Sequence, residues 1–316
     1  MYNYPLERVF LAVVDGGSTD RTLEIVRTKV DEKNLAGYEI VVTQPSIPEQ
    51  RNRCIDMMRG EALIFWDSDI MLSANALEGL VNLLISGKAD VAMVQGRSVF
   101  IQSIDDLQEA IREFQNDTAP RPQEAIRDVP TSGMGWTAIS KRVLVKGIRF
   151  DPELTWAEDW DFGLRAREIG FKIVEVRNAQ GLNIHIGTKS YSDIYSDIPL
   201  TSYMRALRKK AQTRALGATF RVSSTYLVSY YRHNPRFIYY LGYPLAIIAT
   251  IYGFSINNVY IASLFPAYLL IYLVVQVRKR GLKRGFRMTF RSFVAGIPYS
   301  YLQIYYFLKY LTRKPK

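Results

Sequence analysis

Carboxylates cluster in three short motifs of this chain: Asp15 and Asp20 in VVDGGSTD at 13–20, Asp67 and Asp69 in FWDSD at 65–69, and Glu158, Asp159 and Asp161 in EDWDFGLR at 158–165. Asp67-Ser68-Asp69 follows an apolar run directly, and its hard oxygens suit Mg2+ or Mn2+ with diphosphate oxygens completing the shell. Taken alone, DSD is more often a polar turn that ends a strand, but its place after Phe65-Trp66 and the company of two other acidic motifs favour the metal-binding reading. Asp15-Gly16-Gly17-Ser18-Thr19-Asp20 reads as a strand-to-helix turn whose small residues let a ligand approach the backbone, or as a helix cap with no ligand. Acids opening a helix at Glu158 are favoured by the helix dipole, and Asp161 to Arg165 is a stabilising i,i+4 pair. That account leaves three acids beside Trp156 and Trp160, where a partly desolvated carboxylate suits a general base acting on a hydroxyl.

Arg51, near the start of a helical pattern, reaches either donor phosphates or an acidic strand end. His185, in NIHIG beyond the expected strand 171–176, is a candidate third metal ligand, although a lone histidine is more often structural.

The elements that must position these groups alternate. Strands are expected at 8–14, 38–43, 61–66 and 90–95, with helices at 20–34, 48–59 and 73–86 between them. Ser18 or Thr19 is the expected cap of the first helix and Ser73 of the third, while Gly60 and Gly87 stand where C-terminal glycines belong. Helices between short apolar strands imply right-handed crossovers and a largely parallel sheet, and such sheets bind ligands at the carboxyl ends of their strands. A helical segment is expected near 103–115, followed by a loop marked by Pro120, Pro122 and Pro130.

The net charge of +11 is uneven: residues 1–190 carry 22 Lys/Arg against 28 Asp/Glu, whereas residues 191–316 carry 19 against only Asp193 and Asp197. Nucleic acid is not the expected partner, since no nucleic-acid module accompanies the charge. The basic residues flank apolar runs at about 236–254 and 259–277, and Phe237 to Val277 holds no charged residue. Runs of that length predict two transmembrane helices, with both basic flanks on the cytoplasmic side. A tyrosine-rich stretch at about 293–311 reads as interfacial or re-entrant. These features predict a multi-pass protein of the cell membrane with its catalytic domain cytoplasmic and membrane lipids among its partners. The lone cysteine, Cys54, reads as a small buried residue, and the N-terminus does not read as a signal peptide.

With its three motifs in this order, the chain resembles a membrane-anchored family 2 glycosyltransferase of the GT-A fold over about residues 4–190. The resemblance implies an α/β fold: a GT-A-type, mostly parallel sheet flanked by helices, followed by a helical membrane region. It implies a catalytic domain at 1–190, a basic juxtamembrane segment at 191–235 and a membrane region at 236–316. The family's donor-contacting turn falls on Asp15, Gly16, Ser18 and Asp20, with Arg51 and Asp67 also on the donor side. Its metal-binding DxD falls on Asp67 and Asp69, with His185 as a third ligand and Mn2+ or Mg2+ as the cofactor. Its ED motif makes Asp159 the catalytic base with Glu158 beside it. SGMGW places Gly133, Met134, Gly135 and Trp136 on the acceptor side, joined by Trp156 and Trp160.

Two departures are visible. Relatives usually begin with a further strand and helix before the DGS turn, so this chain reads as N-terminally short. No QxxRW motif of processive synthases is present, which predicts transfer of one sugar per event. Implied, then, is inverting transfer from a UDP- or GDP-sugar to a hydroxyl of a lipid-linked glycan or glycolipid at the cytoplasmic membrane face. The alternatives are a polyprenyl-phosphate glycosyltransferase, whose anionic acceptor needs no base, and a truncated, non-catalytic membrane-bound relic that binds sugar nucleotide.

Overall fold

A computed structural model describes residues 3–116, 126–154, 158–187, 199–206, 208 and 236–311. The chain divides into two compact units, Met1–Lys189 and Ser190–Lys316.

The first unit is α/β. Strand β1 (Phe10–Asp15) pairs in parallel with β2 (Gly37–Val42) across helix α1 (Thr22–Asp31). Helix α2 (Ile47–Asp56) leads to β3 (Ala62–Trp66) and the short β4 (Ile70–Leu72). Next come α3 (Ala76–Ile85), β5 (Val91–Ile101), α4 (Ile104–Gln115), β6 (Ile126–Asp128), β7 (Trp136–Ser140), α5 (Lys141–Leu144), α6 (Glu158–Glu168) and β8 (Ile173–Ile186). The strand and helix positions read from periodicity hold to within a few residues, because apolar alternation and helical spacing are local signals.

The topology does not follow the local reading. Six strands form one sheet in the order β3-β7-β5-β8-β4, with β6 also on β8. Only β5 and β8 run parallel in it; β3–β7, β5–β7, β4–β8 and β6–β8 are antiparallel. The sheet is therefore mixed rather than mostly parallel. The reason is that β7, which was not expected as a strand, inserts between β3 and β5 and reverses both pairings. Two apolar clusters pack the sheet: one around Phe65, Ile139, Phe150 and Phe162, the other around Leu72, Leu80, Val94 and Leu182. Cys54 packs against the first, and burial pushes its thiol up to about 11, so it stays protonated at neutral pH.

Local caps differ in detail from expectation. Asp20, not Ser18 or Thr19, accepts from the Thr22 amide at 2.9 Å at the start of α1. Ser73 accepts from the Gln180 amide at 2.9 Å, tying α3's approach to β8 instead of capping α3. Gly87 does take the left-handed conformation, with φ of +67°. Pro120 and Pro122 lie outside the described residues.

The second unit is helical: α7 (Arg236–Ser255), α8 (Val259–Ala262), α9 (Leu264–Arg280) and α10 (Leu282–Leu311), with a short helical segment at 200–206. Most of the segment 191–235 lies outside the described residues. Among the described residues no helix is long and apolar enough to cross a membrane. This overturns the expected multi-pass membrane protein with a cytoplasmic catalytic domain, and the reason is visible helix by helix. The run 259–277 is broken at Ser263 into α8 and α9, and α9's 17 residues end in Arg278, Lys279 and Arg280. What precedes those charges extends about 21 Å at 1.5 Å per residue, short of the roughly 30 Å hydrocarbon core. In α7, Tyr239, Tyr240, Tyr243 and Tyr252 with Gly242 and Pro244 dilute the hydropathy of its 20 residues. Asn257, at φ of 52°, turns the chain, and the Asn258 side chain caps α8 by accepting from Tyr260 and Ile261. The stretch 293–311 is the C-terminal part of α10, a continuous helix of 30 residues.

Candidate active site

The three acidic motifs are brought together by α2. Its consecutive residues Gln50, Arg51 and Asn52 reach three different parts of the fold. Gln50 Nε2 donates to the Val14 carbonyl at 3.2 Å, one residue before Asp15 at the end of β1. Arg51 Nη1 donates to Glu158 Oε1 at 2.5 Å, while its Nη2 makes a longer, weaker contact to Asp67 Oδ2 at 3.4 Å. Asn52 exchanges two hydrogen bonds of 2.8 Å with the backbone of Phe150. The Arg51 guanidinium also lies 5.6 Å from the Phe150 ring centroid. Arg51 thus pairs with the acid that opens α6 and, at longer range, with Asp67 just after β3.

Burial makes the Arg51–Glu158 pair consequential: their side chains are 11% and 8% exposed, whereas Asp67 is 47% exposed. A guanidinium suits this role because its planar fork presents donors to two carboxylates at once. Burial pushes the Glu158 carboxyl above its ordinary range, neighbouring Asp159 adds to that, and Arg51 opposes both. Burial likewise raises Asp159, against the pull of Arg51 and of the Trp160 and Met134 amides that donate to it.

A second connection runs through the SGMGW loop. The Met134 amide donates to Asp159, and the Gly135 carbonyl accepts from the Asp67 amide at 3.0 Å. Adjacent residues of one loop thus link the ED motif to the DSD motif. Thr137 Oγ1 fastens the loop by donating to the Gly133 carbonyl at 2.5 Å. Gly135 is required by close approach: a Cβ there would stand 2.7 Å from Asp67 Oδ2 and 2.6 Å from Ile70 Cδ1. Gly135→Ala is therefore expected to destabilise the protein by about 1–3 kcal/mol through overpacking. Thermal unfolding reads this directly, and an unchanged midpoint would mean that the loop yields.

The remaining candidates are placed as follows. Asp15, buried at the end of β1, accepts from the Gly17 and Ser18 amides at 2.9 and 2.7 Å and from the Ser18 hydroxyl at 2.6 Å. The Ser18 hydroxyl is the main cause holding this carboxyl below its ordinary range. Asp15 and Ser18 therefore organise the turn, and Gly17, at φ of +88°, supplies the conformation it needs. Gly16 leaves the turn tight against Gln50. Asp67 and Asp69 flank the turn from β3 to β4, and Ile184 on β8 donates to the Asp69 carbonyl at 2.9 Å.

His185 lies within β8 rather than beyond it, and its ring stacks on Phe100 with centroids 4.9 Å apart. Among the described residues no three His, Cys, Asp or Glu side chains form a metal-holding group. Two carboxylates at an exposed turn still fit Mg2+ or Mn2+ chemically, because such ions take one or two carboxylates and complete their shell with phosphate and water oxygens.

On the side expected for an acceptor, the Met134 side chain is buried in the first core cluster. The Trp136 ring packs over Gly96 and Gly181, where it would collide with a Cβ at Gly96. Gly133 stays open, with Asp159 Oδ2 3.9 Å from where its Cβ would stand. Trp160 is held through its carbonyl, which accepts from Thr131 Oγ1 at 3.1 Å. Trp156 lies outside the described residues. Asp161 pairs with Arg165 at 2.8 Å, and Arg165 donates to the Arg149 carbonyl at 2.6 Å, which fixes α6 in place. The sequence reading missed the joining role of Gln50-Arg51-Asn52. The signal was three polar residues in a row early in α2, facing three directions that a helix turn separates by about 100° each.

Residues 3–142 match the model of glycosyl transferase family 2. An uncharacterized glycosyltransferase of Haemophilus influenzae is 24% identical over 98 residues, which are 31% of this chain and 38% of that protein. The chain thus aligns with well under two thirds of the relative's length. Among solved structures, S. aureus TarS 1–349 in complex with UDP is similar at 18% identity and a TM-score of 0.49, over 93% of this chain and 85% of that one. GalNAc-T7 with UDP, GalNAc and Mn2+ is similar at 14% identity and a TM-score of 0.45, over 68% and 45%. The part of the first unit that is matched belongs to an α/β domain with a mixed sheet flanked by helices.

Proposed function

We propose that this domain transfers a single sugar from a nucleotide-sugar donor, a UDP- or GDP-sugar, to an acceptor hydroxyl, with inversion by single displacement. The observation that carries the reading is the buried Arg51, which fastens the ED helix to the DSD turn. It sets an acidic helix start beside a pair of hard oxygen ligands, as transfer from an anionic donor requires.

Asp67 and Asp69 would hold Mg2+ or Mn2+, whose charge offsets that building on the departing diphosphate. The turn from Asp15 to Asp20 brings backbone close to the donor through Gly16 and Gly17. Asp159 accepts the proton of the acceptor hydroxyl as its oxygen bonds to the anomeric carbon, and the nucleoside diphosphate leaves with the bonding pair from the opposite face. Glu158, neutralised by Arg51, holds that guanidinium in place. The SGMGW loop and Trp160 stand beside Asp159, which supports their placement on the acceptor side.

A hydroxyl acceptor follows from Asp159: a phosphate acceptor is already anionic and needs no base. The lipid portion of the expected acceptor was inferred from spans that the helices do not provide, so the proposal is confined to the hydroxyl.

Calorimetric titration of UDP-, GDP- and dTDP-sugars into the full chain, with and without Mn2+, tests the reading. One donor is expected to bind in a metal-dependent way, with Asp67→Ala or Asp69→Ala weakening it about 10-fold or more. Metal-independent binding, or none by folded protein, would overturn the assignment of that pair.

A further inference from the structure

We infer that the exposed face of α10 docks on an anionic lipid surface, lying along it without crossing. The helix carries two faces of unusual character. Met288, Ser292, Ala295 and Tyr299 form its buried stripe at helical spacing. The opposite face is not the polar one that water would select: Phe286, Phe290, Tyr301 and Leu308 are 52%, 65%, 67% and 58% exposed. Lys283, Arg284 and Arg287 are exposed on the first turns of the same helix. Long aromatic and aliphatic side chains interleaved with lysine and arginine characterise helices that rest in a lipid headgroup layer. Contiguous exposed apolar surface of this kind marks an interaction site.

Charge selects the occupant. The sequence from 199 to 316 contains no Asp or Glu, while Arg278, Lys279 and Arg280 end α9 immediately before α10 begins. A second copy of this face would bring like charges together with no acid opposite them. An anionic headgroup layer supplies the complementary charge, and its acyl boundary takes the phenylalanines. Exposed apolar residues also occur on α7, where Leu245, Ile248 and Ile251 are each more than 60% exposed. The long axis of α10, about 45 Å for 30 residues, gives a contact far larger than a single side chain.

The test is flotation of the full chain with phosphatidylcholine vesicles, with and without phosphatidylglycerol. Expected is binding to the phosphatidylglycerol vesicles that falls on pure phosphatidylcholine and at high salt, and release by alkaline carbonate. A Phe286→Ser/Phe290→Ser variant is expected to bind at least about tenfold more weakly. Arg284→Gln/Arg287→Gln, which leaves the apolar face intact, is expected to lose the preference for the anionic vesicles. An unchanged circular dichroism spectrum separates either effect from misfolding. Failure to float with either vesicle, affinity unchanged in both variants, or retention after carbonate would overturn the proposal. So would a dimer in solution broken by the Phe286 and Phe290 changes, which would make a second copy the occupant.

Discussion

Asp159→Asn is expected to keep nucleotide-sugar binding while turnover falls about 10²- to 10⁴-fold, the range that a positioned general base contributes. The substitution keeps the shape of the side chain and an oxygen to accept from the Trp160 amide, but removes the proton acceptor. The pH dependence carries a second signature. Burial raises the Asp159 carboxyl above the ordinary aspartate range. A base must be ionised, so wild-type kcat should rise with pH through this raised value, with its acid limb above that of an exposed aspartate. That limb should vanish in Asp159→Asn. Stability moves the other way. A carboxyl whose folded value is raised contributes stability fully below its unfolded value, and this is lost as pH rises through the folded value. The variant should therefore unfold no more easily than wild type at neutral pH, which separates lost chemistry from lost folding. Near-normal turnover by Asp159→Asn would remove the base from this residue.

Arg51→Ala should have the largest effect on stability of any single change at the site. It leaves Glu158, 8% exposed, with a buried charge and no guanidinium. Breaking a buried pair from one side costs about 3–5 kcal/mol, because the remaining charge keeps its desolvation penalty. Urea unfolding should show that loss, and a decrease under about 1 kcal/mol would put the pair in the class of surface ion pairs. Two further variants separate the charge from the fork. Arg51→Lys restores a cation but cannot present parallel donors to Glu158 and Asp67, so it should recover part of the stability. Arg51→Met combined with Glu158→Gln removes both charges and should be more stable than Arg51→Ala alone, with a measurable coupling between the two positions.

The site was legible in the sequence as a set of residues but not as an arrangement. Asp15, Asp67 and Glu158-Asp159 could be named because each sits at the boundary of a periodic segment, where a carboxylate is exposed to the chain's local geometry. That Arg51 reaches Glu158, 107 residues away, is written nowhere in local spacing. Nor is the need for glycine at 135, which comes from the carboxylate of Asp67 crossing behind it. Nor is the packing of Trp136, for whose ring Gly96 and Gly181 on neighbouring strands make room in the sheet.

The expectation of membrane-spanning helices failed for a related reason. Hydropathy summed over 259–277 ignored where the helix breaks, and the break at Ser263 leaves α9 too short. What the sequence by itself determined is the alternation of strand and helix, the three acidic motifs and the separation of an acidic first part from a basic second. These depend on neighbours within a few residues, through periodicity, capping and composition. Only the tertiary structure decided that β7 enters between β3 and β5, that Gln50, Arg51 and Asn52 join three motifs, and that α10 turns phenylalanines outward. Each of these is a pairing between distant segments, selected by burial and packing rather than by the preferences of any one stretch.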